Sequence, residues 1–252
     1  MSMIEGKGKA MIFAAGIGSR LKPITNTKPK ALVEFNGRTL LEYAILKLKY
    51  YGVSDIIINV HHFSKQIIDY VNIHDFGVRI TISDESDELL DTGGGLLKAK
   101  DFFKDADSFI VYNVDVISTI NLLDFYKFHI SNNALVSLAV CKRNTSRYLL
   151  FDTSKQLCAW ENTQSHEMQI IHEREEYFQL AFSGIQIIST KIFDLISEEG
   201  AFPIMQLYLR LAQQHKILAY NHSQDFWLDV GKFDKLQDVE KQIANQPLEY
   251  LS

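Results

Sequence analysis

The sequence predicts an α/β protein with a doubly wound, mostly parallel sheet that is flanked by helices. Apolar runs without polar alternation recur in the first part of the chain, as expected for strands buried on both faces; they lie at residues 10–15, 56–60, 78–83, 109–114 and 134–140. Helical patterns separate them, at residues 39–51, 65–71, 96–103 and 121–130. This alternation predicts right-handed crossovers and a ligand crevice beyond the carboxyl ends of the strands.

The first predicted helix, at residues 39–51, shows the helical spacing most clearly. Glycine commonly ends a helix, and Gly52 follows this one directly. Apolar residues at helical spacing form the face that should pack on the sheet; they are Leu40, Leu41, Ala44, Ile45 and Leu48.

The rhythm changes after residue 140. Short strands are predicted at residues 147–151, 156–160 and 179–188, with polar loops such as 162–169 between them. Two further helices, a strand and an amphipathic terminal helix are then predicted at residues 191–197, 203–214, 217–221 and from about 232. No linker, repeat or low-complexity tract divides the chain. We therefore predict one domain over residues 1–252, with a core at about 9–140, a β-rich lobe at about 141–231 and a terminal helix at 232–252.

The composition excludes several classes of protein. The chain has 252 residues, of which 46% are hydrophobic and 23% charged, so a folded globular protein is expected. Its net charge of -5 argues against sequence-independent nucleic-acid binding, which needs Lys and Arg to neutralise phosphates. Cys141 and Cys158 have no metal-ligand spacing, which favours a reducing compartment. The short N-terminal stretch fits neither a signal peptide nor a membrane span, so we expect a cytoplasmic protein without a membrane partner.

A glycine-rich segment directly after the first strand carries the strongest functional signal. It runs Ala-Ala-Gly-Ile-Gly-Ser-Arg-Leu-Lys-Pro-Ile-Thr over residues 14–25, and Lys-Pro-Lys follows at 28–30. Gly16 and Gly18 let backbone N–H groups turn toward an anion, and Ser19 adds a hydroxyl. Arg20 and Lys30 add the positive charge that a triphosphate and a departing pyrophosphate need. The segment therefore predicts a phosphate-binding turn.

Two further segments predict parts of the same site. Asp115 follows the strand at 109–114, and a carboxylate at the end of a central strand suits a hard cation that bridges phosphate oxygens. Residues 91–96, Asp-Thr-Gly-Gly-Gly-Leu, precede a predicted helix. Their glycines would let the backbone of a loop approach a base or ribose.

At these residues the chain resembles the nucleotidyltransferase family of sugar-nucleotide pyrophosphorylases. The family signature reads G-x-G-[ST]-R-[LM]-x-P-[LI]-T followed by P-K, and residues 16–25 and 29–30 match it throughout. No Gly-Lys-Ser/Thr follows as in a P-loop, and a dinucleotide-binding G-x-G-x-x-G fails at Leu21. Asn113-Val114-Asp115 resembles the element that carries the family's metal-binding aspartate. Residues 227–231, Trp-Leu-Asp-Val-Gly, resemble its W-x-D-V/I-G element, so Asp229 is the second metal-ligand candidate.

The resemblance implies a Rossmann-like, GT-A-type fold in which the core binds the nucleotide and the lobe binds the sugar. The implied reaction joins a nucleoside triphosphate to a sugar 1-phosphate with release of pyrophosphate. The implied catalytic residues are Arg20, Lys30 and Asp115, and Asp115 with Asp229 would hold Mg²⁺. The residues implied to contact the nucleotide are Ala14, Ala15, Gly16, Gly18, Ser19, Arg20, Lys30, Thr92, Gly93, Gly94 and Asn113. Those implied to contact the sugar phosphate are Asn113, Glu161, Ser183 and Gly184.

The base and the acceptor stay open at this point. Residues 89–95 and 59–62 resemble the short N-acetylmuramate 1-phosphate uridylyltransferases, which favours UTP and a cell-wall or polysaccharide precursor. However, the Gln that reads the base in thymidylyl and many uridylyl relatives is absent from residues 83–86, and no Lys follows Glu161. The alternatives are a mannose-1-phosphate guanylyltransferase, a phosphocholine cytidylyltransferase whose cation would need Trp160 or Trp227, and a non-catalytic regulatory protein. The protein could be a monomer or a homodimer.

Overall fold

The fold was obtained as a computed structural model, which describes residues 8–232, 236–243, 246 and 248–251. Within these ranges the strands are β1 (Gly8–Phe13), β2 (Glu34–Phe35), β3 (Arg38–Thr39), β4 (Val53–Val60), β5 (Arg79–Asp84), β6 (Ser108–Asn113), β7 (Val116–Ser118), β8 (Val136–Cys141), β9 (Arg147–Phe151), β10 (Leu157–Asn162), β11 (Glu167–Ile170), β12 (Phe178–Ser189), β13 (Ile217–Asn221) and β14 (Trp227–Asp229). All nine predicted strands are present, each within three residues of its predicted ends.

The helices likewise follow the predicted order. The α-helices of the described ranges are α1 (Leu40–Tyr50), α2 (Ser64–Ile73), α3 (Asp91–Lys98), α4 (Leu122–Ser131), α5 (Ile204–Leu211) and α6 (Leu236–Ile243). Helix α1 begins where a capping box forms: the Thr39 hydroxyl accepts from the Glu42 N–H, and the Glu42 carboxylate accepts from the Thr39 N–H. Asn121 caps α4 in the same way, by accepting from the backbone of Leu123 and Asp124.

A ten-stranded sheet organises the molecule. Strands β5, β4, β1 and β6 are parallel and adjacent, as predicted for the core. Strand β12 then pairs antiparallel with β6 over residues 185–189, with β8 over residues 181–188 and with β9 over residues 178–180. Strands β10 and β11 extend the sheet beyond β9, so the predicted β-rich lobe is a continuation of the central sheet.

Apolar side chains of the parallel strands alternate between two cores, one on each face of the sheet. Ile56 and Ile58 of β4 enter the core that contains α1, α2 and α4, whereas Ile57 enters the core that contains α3 and α5. Because helices cover both faces, these strands carry continuous apolar runs instead of alternating polar residues. The doubly wound α/β architecture is therefore confirmed.

The structure differs from the sequence prediction in several places. Strand β11 occupies part of the segment predicted as a polar loop at 162–169. It pairs with β10 and keeps all four of its residues exposed, so it has no buried apolar run from which a strand could be predicted. The helix predicted at 191–197 is a short 3₁₀ helix, Thr190–Asp194. The terminal helix begins at Leu236, and residues 233–235, 244, 245, 247 and 252 of that predicted segment lie outside the described residues. None of the described helices is both long and apolar enough to cross a membrane.

Candidate active site

The glycine turn leaves β1 at Phe13 and closes at the short 3₁₀ helix Ser19–Leu21. Gly18 has a φ of 69°, and a Cβ placed on it would lie 3.0 Å from side-chain atoms of Lys30 and Thr25. Thr25 donates its hydroxyl to the Gly18 carbonyl over 2.8 Å, which fixes the turn. A Cβ on Gly16 would meet nothing within 4 Å, so this glycine faces open space. The signature residues therefore build a rigid turn with one open side, as a phosphate cradle requires.

The two predicted metal ligands converge beside this turn. Strand β14 pairs with β7, which follows Asp115, and Asp229 lies opposite Val116 in that pair. The Val230 N–H donates to the Asp115 carbonyl over 2.9 Å. A Cβ built on Gly231 would lie 3.1 Å from both Asp115 Oδ2 and Asp229 Oδ1. Residues 114 positions apart in sequence thus bring their carboxylates to one point, as the sequence predicted.

Lys30 provides the cation at this point. Its ammonium forms an ion pair with Asp115, and both side chains are nearly buried. Burial alone would raise the pKa of Asp115, but the Lys30 charge and hydrogen bond hold that pKa below its usual value. Burial and the negative charge of Asp115 raise the pKa of Asp229 to about 6. One cation therefore neutralises only part of the charge of two close carboxylates, as expected where a second cation binds.

The donor set fits Mg²⁺. Hard divalent cations take oxygen ligands, and Mg²⁺ is commonly held by one or two carboxylates together with substrate phosphates and waters. Within the described ranges, no third His, Cys, Asp or Glu joins the pair to form a larger cluster. The remaining ligands would therefore have to come from water and from a phosphorylated substrate.

A cavity of about 610 Å³ opens above the glycine turn, and we call it the turn-side cavity. The predicted residues that line it are Ala14, Ala15, Gly16, Lys30, Thr92, Asn113 and Asp115. A smaller hollow of about 180 Å³ adjoins it and holds the remaining predicted phosphate contacts, Gly18, Ser19 and Arg20, together with Gly231. The structure thus collects most of the predicted nucleotide contacts around one cleft.

A second cavity, of about 560 Å³, lies between the turn side and the β-rich lobe, and we call it the lobe-side cavity. It shares Phe13, Thr92 and Asn113 with the turn-side cavity, so the two form neighbouring compartments. Strand β10 contributes Trp160 and Asn162 to its wall. Two compartments that meet at the strand ends suit a reaction between two substrates.

The glycine triplet is not the loop that the sequence predicted. Asp91, with a φ of 56°, begins α3, and Gly93, Gly94 and Gly95 are buried in its first turns. A Cβ on Gly93 would lie 2.2 Å from the Phe202 ring, and one on Gly94 would lie 2.3 Å from the Gly200 carbonyl oxygen. The triplet therefore lets α3 pack closely against residues 200–202. Thr92 lines both cavities, whereas Gly93 and Gly94 line neither. Contact of these two glycines with the nucleotide stays a prediction.

Two residues predicted to contact the sugar phosphate, Glu161 and Ser183, have side chains that form hydrogen bonds within the chain. Successive side chains of a strand alternate in direction, so Glu161 faces away from the cavity that Trp160 and Asn162 line. On that other face its carboxylate accepts from Gln179 Nε2 over 2.7 Å. Ser183 is fully buried, and its hydroxyl hydrogen-bonds to His222 Nε2 over 2.6 Å.

Gly184 supports the site without contacting either cavity. Its φ of 75° coincides with a register irregularity between β12 and β8. A Cβ on Gly184 would lie 2.9 Å from Asn113 Nδ2, so glycine leaves room for the Asn113 side chain. Asn113 borders both cavities, as expected for a residue assigned to both substrates.

The sequence analysis did not identify a buried network behind the turn-side cavity. Asn59 Oδ1 accepts from the Ala14 N–H over 2.9 Å, and Asn59 Nδ2 donates to Glu85 over 2.9 Å. Glu85 also accepts from the Leu90 N–H, and burial raises the pKa of its carboxyl. This network fixes Ala14 and uses its N–H, which is therefore not available to a phosphate. The sequence feature that could have indicated this network is Asn59, a polar residue within the apolar run Ile-Ile-Ile-Asn-Val at 56–60.

Two polar residues of the lobe-side cavity were also missed. Arg143 follows β8, and Gln186 lies inside β12 between apolar neighbours. Both border the cavity. An amide within an otherwise apolar strand is an unusual pattern, and it could have identified Gln186 from the sequence alone.

Comparisons with known proteins identify the family of the chain. The sequence model of the family described as "Nucleotidyl transferase" matches residues 9–246. The mannose-1-phosphate guanyltransferase of Saccharomyces cerevisiae is 29% identical over 237 residues, and that of Yarrowia lipolytica is 28% identical over 228 residues. Each comparison covers 89% of this chain but 61% of the relative, so the chain spans about three fifths of the length of these proteins.

Solved structures show the same fold at lower identity. A putative glucose-1-phosphate thymidylyltransferase from Bacillus anthracis has a TM-score of 0.78 at 20% identity, with 94% of this chain and 95% of that chain covered. HddC from Yersinia pseudotuberculosis has a TM-score of 0.74 at 20% identity, with 97% and 100% covered. These similarities confirm the predicted fold class.

Proposed function

Because the chain belongs to the nucleotidyl transferase family, we propose that it joins a nucleoside triphosphate to a sugar 1-phosphate and releases pyrophosphate. The proposal depends above all on one observation. Asp115, Asp229 and Lys30 meet beside the glycine turn, although they come from three distant segments of the chain. A site for transfer between phosphates needs this combination of anion cradle, cation and metal-binding carboxylates.

The residues of the chain supply placement and charge in this reaction. An oxygen of the sugar 1-phosphate attacks the α-phosphorus, the bond to the β-phosphate breaks, and pyrophosphate leaves with the bonding electrons. The attacking phosphate is already ionised near neutral pH, so no general base is needed. Arg20, exposed at the glycine turn, would bind the β and γ phosphates, and Lys30 would balance charge near the transferring phosphorus.

Asp115 and Asp229 would hold Mg²⁺ in this scheme. The ion would polarise phosphate oxygens and offset the charge that develops on pyrophosphate. The raised pKa of Asp229 supports this assignment, because two carboxylates that approach without enough positive charge favour cation binding.

We propose GTP as the nucleotide and mannose 1-phosphate, or a similar hexose 1-phosphate, as the acceptor. The support comes from relatives of several eukaryotes that are called mannose-1-phosphate guanyltransferases or guanylyltransferases. UTP is the second candidate, because residues 89–95 and 59–62 resemble the N-acetylmuramate 1-phosphate uridylyltransferases. The expected product is a nucleotide sugar for polysaccharide or cell-wall synthesis in the cytoplasm.

The other two alternatives have less support. The face of Trp227 is covered by the Arg143 guanidinium, 4.5 Å from the ring centroid, which opposes its use for the quaternary ammonium of phosphocholine. A non-catalytic regulatory protein has no need to keep Arg20, Lys30, Asp115 and Asp229 together. All four are present here.

The decisive experiment measures pyrophosphate release for four nucleoside triphosphates combined with a panel of sugar 1-phosphates. The panel should include mannose 1-phosphate, glucose 1-phosphate and N-acetylmuramate 1-phosphate, with phosphocholine as the non-sugar acceptor. We expect turnover with GTP and a hexose 1-phosphate, and loss of turnover when a chelator removes divalent metal. Turnover that persists in the chelator would contradict the metal assignment.

A matched pair of variants separates site chemistry from general charge effects. Asp229→Asn removes one carboxylate of the pair, whereas Asp69→Asn removes an exposed carboxylate that forms an ion pair with Lys65 on α2. Only the first should lose turnover. If no combination of triphosphate and acceptor releases pyrophosphate with wild-type protein, the proposed function is wrong.

A further inference from the structure

The lobe-side cavity has a cationic side chain whose hydrogen-bonding capacity is mostly unused. Arg143 Nη2 donates to the Phe182 carbonyl over 2.7 Å, and the guanidinium lies 4.5 Å from the centre of the Trp227 ring. Its Nε and Nη1 are buried and have no hydrogen-bond partner in the described part of the chain. Only one of the three guanidinium nitrogens is therefore satisfied by protein.

A second unsatisfied group borders the same cavity. Gln186 is 1% exposed, and its Oε1 is buried without a hydrogen-bond partner among the described residues. Leaving such groups unpaired in a protein interior costs free energy. Two unpaired polar side chains at one cavity therefore point to a polar ligand that satisfies both, with the anionic part near Arg143 and a hydroxyl near Gln186.

The position of Arg143 relates it to the reacting centre. Its guanidinium stacks on Trp227, and Trp227 and Asp229 lie on one face of β14 because they are two residues apart. The phosphate-binding cations Arg20 and Lys30 belong to the turn side, whereas Arg143 borders only the lobe-side cavity. An anion at Arg143 would thus approach the carboxylate pair from the side opposite the triphosphate.

We propose that Arg143 binds the phosphate of the acceptor, an inference that rests on the proposed function. The planar guanidinium can donate Nε–H and Nη1–H together to two oxygens of one phosphate, an arrangement that a lysine cannot reproduce. Because Nε and Nη1 are buried in this structure, binding in this mode requires the Arg143 side chain to rotate toward the cavity that it lines. Trp227 below and the Phe182 carbonyl at the edge limit that rotation, so Arg143 both attracts and orients the acceptor.

The test uses an optical signal that does not need turnover. The chain contains two tryptophans, Trp160 in the wall of the lobe-side cavity and Trp227 beneath Arg143. Fluorescence titrations with inorganic phosphate, mannose 1-phosphate and free mannose would compare wild-type protein with Arg143→Met, which keeps a long side chain over Trp227, and with Arg143→Lys. Arg174→Met, at the Asp152 ion pair, is the matched control for loss of one arginine.

We expect Arg143→Met to weaken binding of phosphate and mannose 1-phosphate by at least about tenfold, with Arg143→Lys in between and Arg174→Met unchanged. Kinetics with the acceptor that the screen identifies should show the same increase in acceptor KM and a nucleotide KM within about twofold of wild type. Equal weakening for both substrates, or no weakening, would overturn the proposal and leave Arg143 a packing residue. Absence of phosphate binding by wild-type protein would also overturn it.

Two further comparisons locate the anion and separate this proposal from the previous one. If Arg143→Met weakens N-acetylmuramate 1-phosphate but not mannose 1-phosphate, Arg143 reads the carboxylate of the acceptor, and the phosphate assignment is wrong. If wild-type protein transfers no nucleotide, but phosphate binds to it more tightly than to Arg143→Met, the proposed function is wrong and Arg143 still forms an anion site. If Arg143→Met has normal turnover and unchanged acceptor binding, the proposed function stands and the proposed role of Arg143 is wrong.

Discussion

Two regions of the site contain charged residues that are neutralised in different ways. We call Lys30, Asp115 and Asp229 beside the glycine turn the floor, and Arg143 with Gln186 at the lobe-side cavity the wall. On the floor, Lys30 pairs with Asp115, and Asp229 lies against both. On the wall, Arg143 has one protein acceptor, and its two other nitrogens have no hydrogen-bond partner among the residues that the structure describes. The floor is partly neutralised by the chain itself, whereas the wall is completed only by a ligand.

This difference affects how much of each region can be predicted from sequence, because a motif identifies the floor whereas Arg143 on the wall belongs to no motif. The floor depends on mutual contacts, which constrain residue types and spacings in three segments and so produce a recognisable motif. The residues of the wall contact a substrate instead of one another. Substrate binding requires a hydrogen-bond donor at the cavity but fixes no spacing in the sequence. The following predictions test whether the floor serves catalysis and the wall serves substrate selection.

The largest effect is expected from removing one carboxylate of the floor. Asp115→Asn should lower turnover by about a hundredfold to a thousandfold, because it removes charge that stabilises the transition state. The fold should stay intact, as judged by circular dichroism. The measurement is pyrophosphate release at saturating substrates, with Asp69→Asn as the control. Near-normal turnover in Asp115→Asn would break the comparison, since the floor would then be structural.

A smaller effect is expected on stability when the floor loses its cation. Lys30→Met leaves two partly buried carboxylates without a neighbouring ammonium, which should cost about 3 kcal/mol of unfolding free energy, the lower end of the range for buried pairs. Saturating Mg²⁺ should restore most of this loss, because a ligand of the folded state stabilises it. Urea unfolding with and without Mg²⁺ measures both effects. The double variant Lys30→Met with Asp115→Asn should be more stable than Lys30→Met alone, and the opposite order would contradict the pairing.

Two glycine substitutions should distinguish the role of the floor from that of the glycine turn, each by changing one kinetic constant about tenfold. A Cβ on Gly231 would lie 2.6 Å from Lys30 Nζ, so Gly231→Ala should displace the lysine and lower kcat. A Cβ on Gly16 would meet no protein atom within 4 Å, so Gly16→Ala should keep its stability and raise the nucleotide KM. Steady-state kinetics distinguishes the two outcomes. The same response in both variants would show that the turn and the floor act as one unit.

The smallest effect concerns the pH dependence of the lobe side. Burial, with a contribution from the Arg143 charge, lowers the pKa of His222 to about 4. The unfolded chain therefore binds a proton on this residue at higher pH than the folded chain does, and stability falls as pH drops from about 6.5 toward 4. Between pH 6 and pH 5, the wild-type unfolding free energy should fall by about 1 kcal/mol more than that of His222→Gln. Parallel pH profiles would rule out the buried neutral histidine.

Most of the fold could be predicted because its signals are local. The apolar runs of β1, β4 and β6 and the cap at Thr39 each follow from short stretches of sequence. Edge strand β11 was missed because its exposed residues carry no burial pattern.

Side-chain placement could not be predicted where the direction of a side chain depends on the surrounding strands. Glu161 follows the strand predicted at 156–160 directly, and in the longer observed strand β10 its side chain lies on the face opposite Trp160 and Asn162. The pairing of β10 with β9 also shifts register between Leu157 and Ala159. Ser183 turns inward before the kink at Gly184. Gly93 and Gly94 were assigned to a ligand because glycine signals close approach, yet the approaching atoms belong to residues 200–202. Sequence indicates that something comes near a glycine, but not what it is.

Strand β12 has a practical consequence for engineering. It runs unbroken from Phe178 to Ser189 and joins the lobe strand β9 to the core strands β6 and β8. An exchange of modules between related enzymes should therefore spare it, with splice points in the irregular segments 142–146 and 171–177. A cassette cut at residue 142 would carry Arg143 with it and leave Gln186 in the recipient. The preference of the lobe-side cavity for an anion, from Arg143, and its preference for a hydroxyl, from Gln186, could then come from two different enzymes.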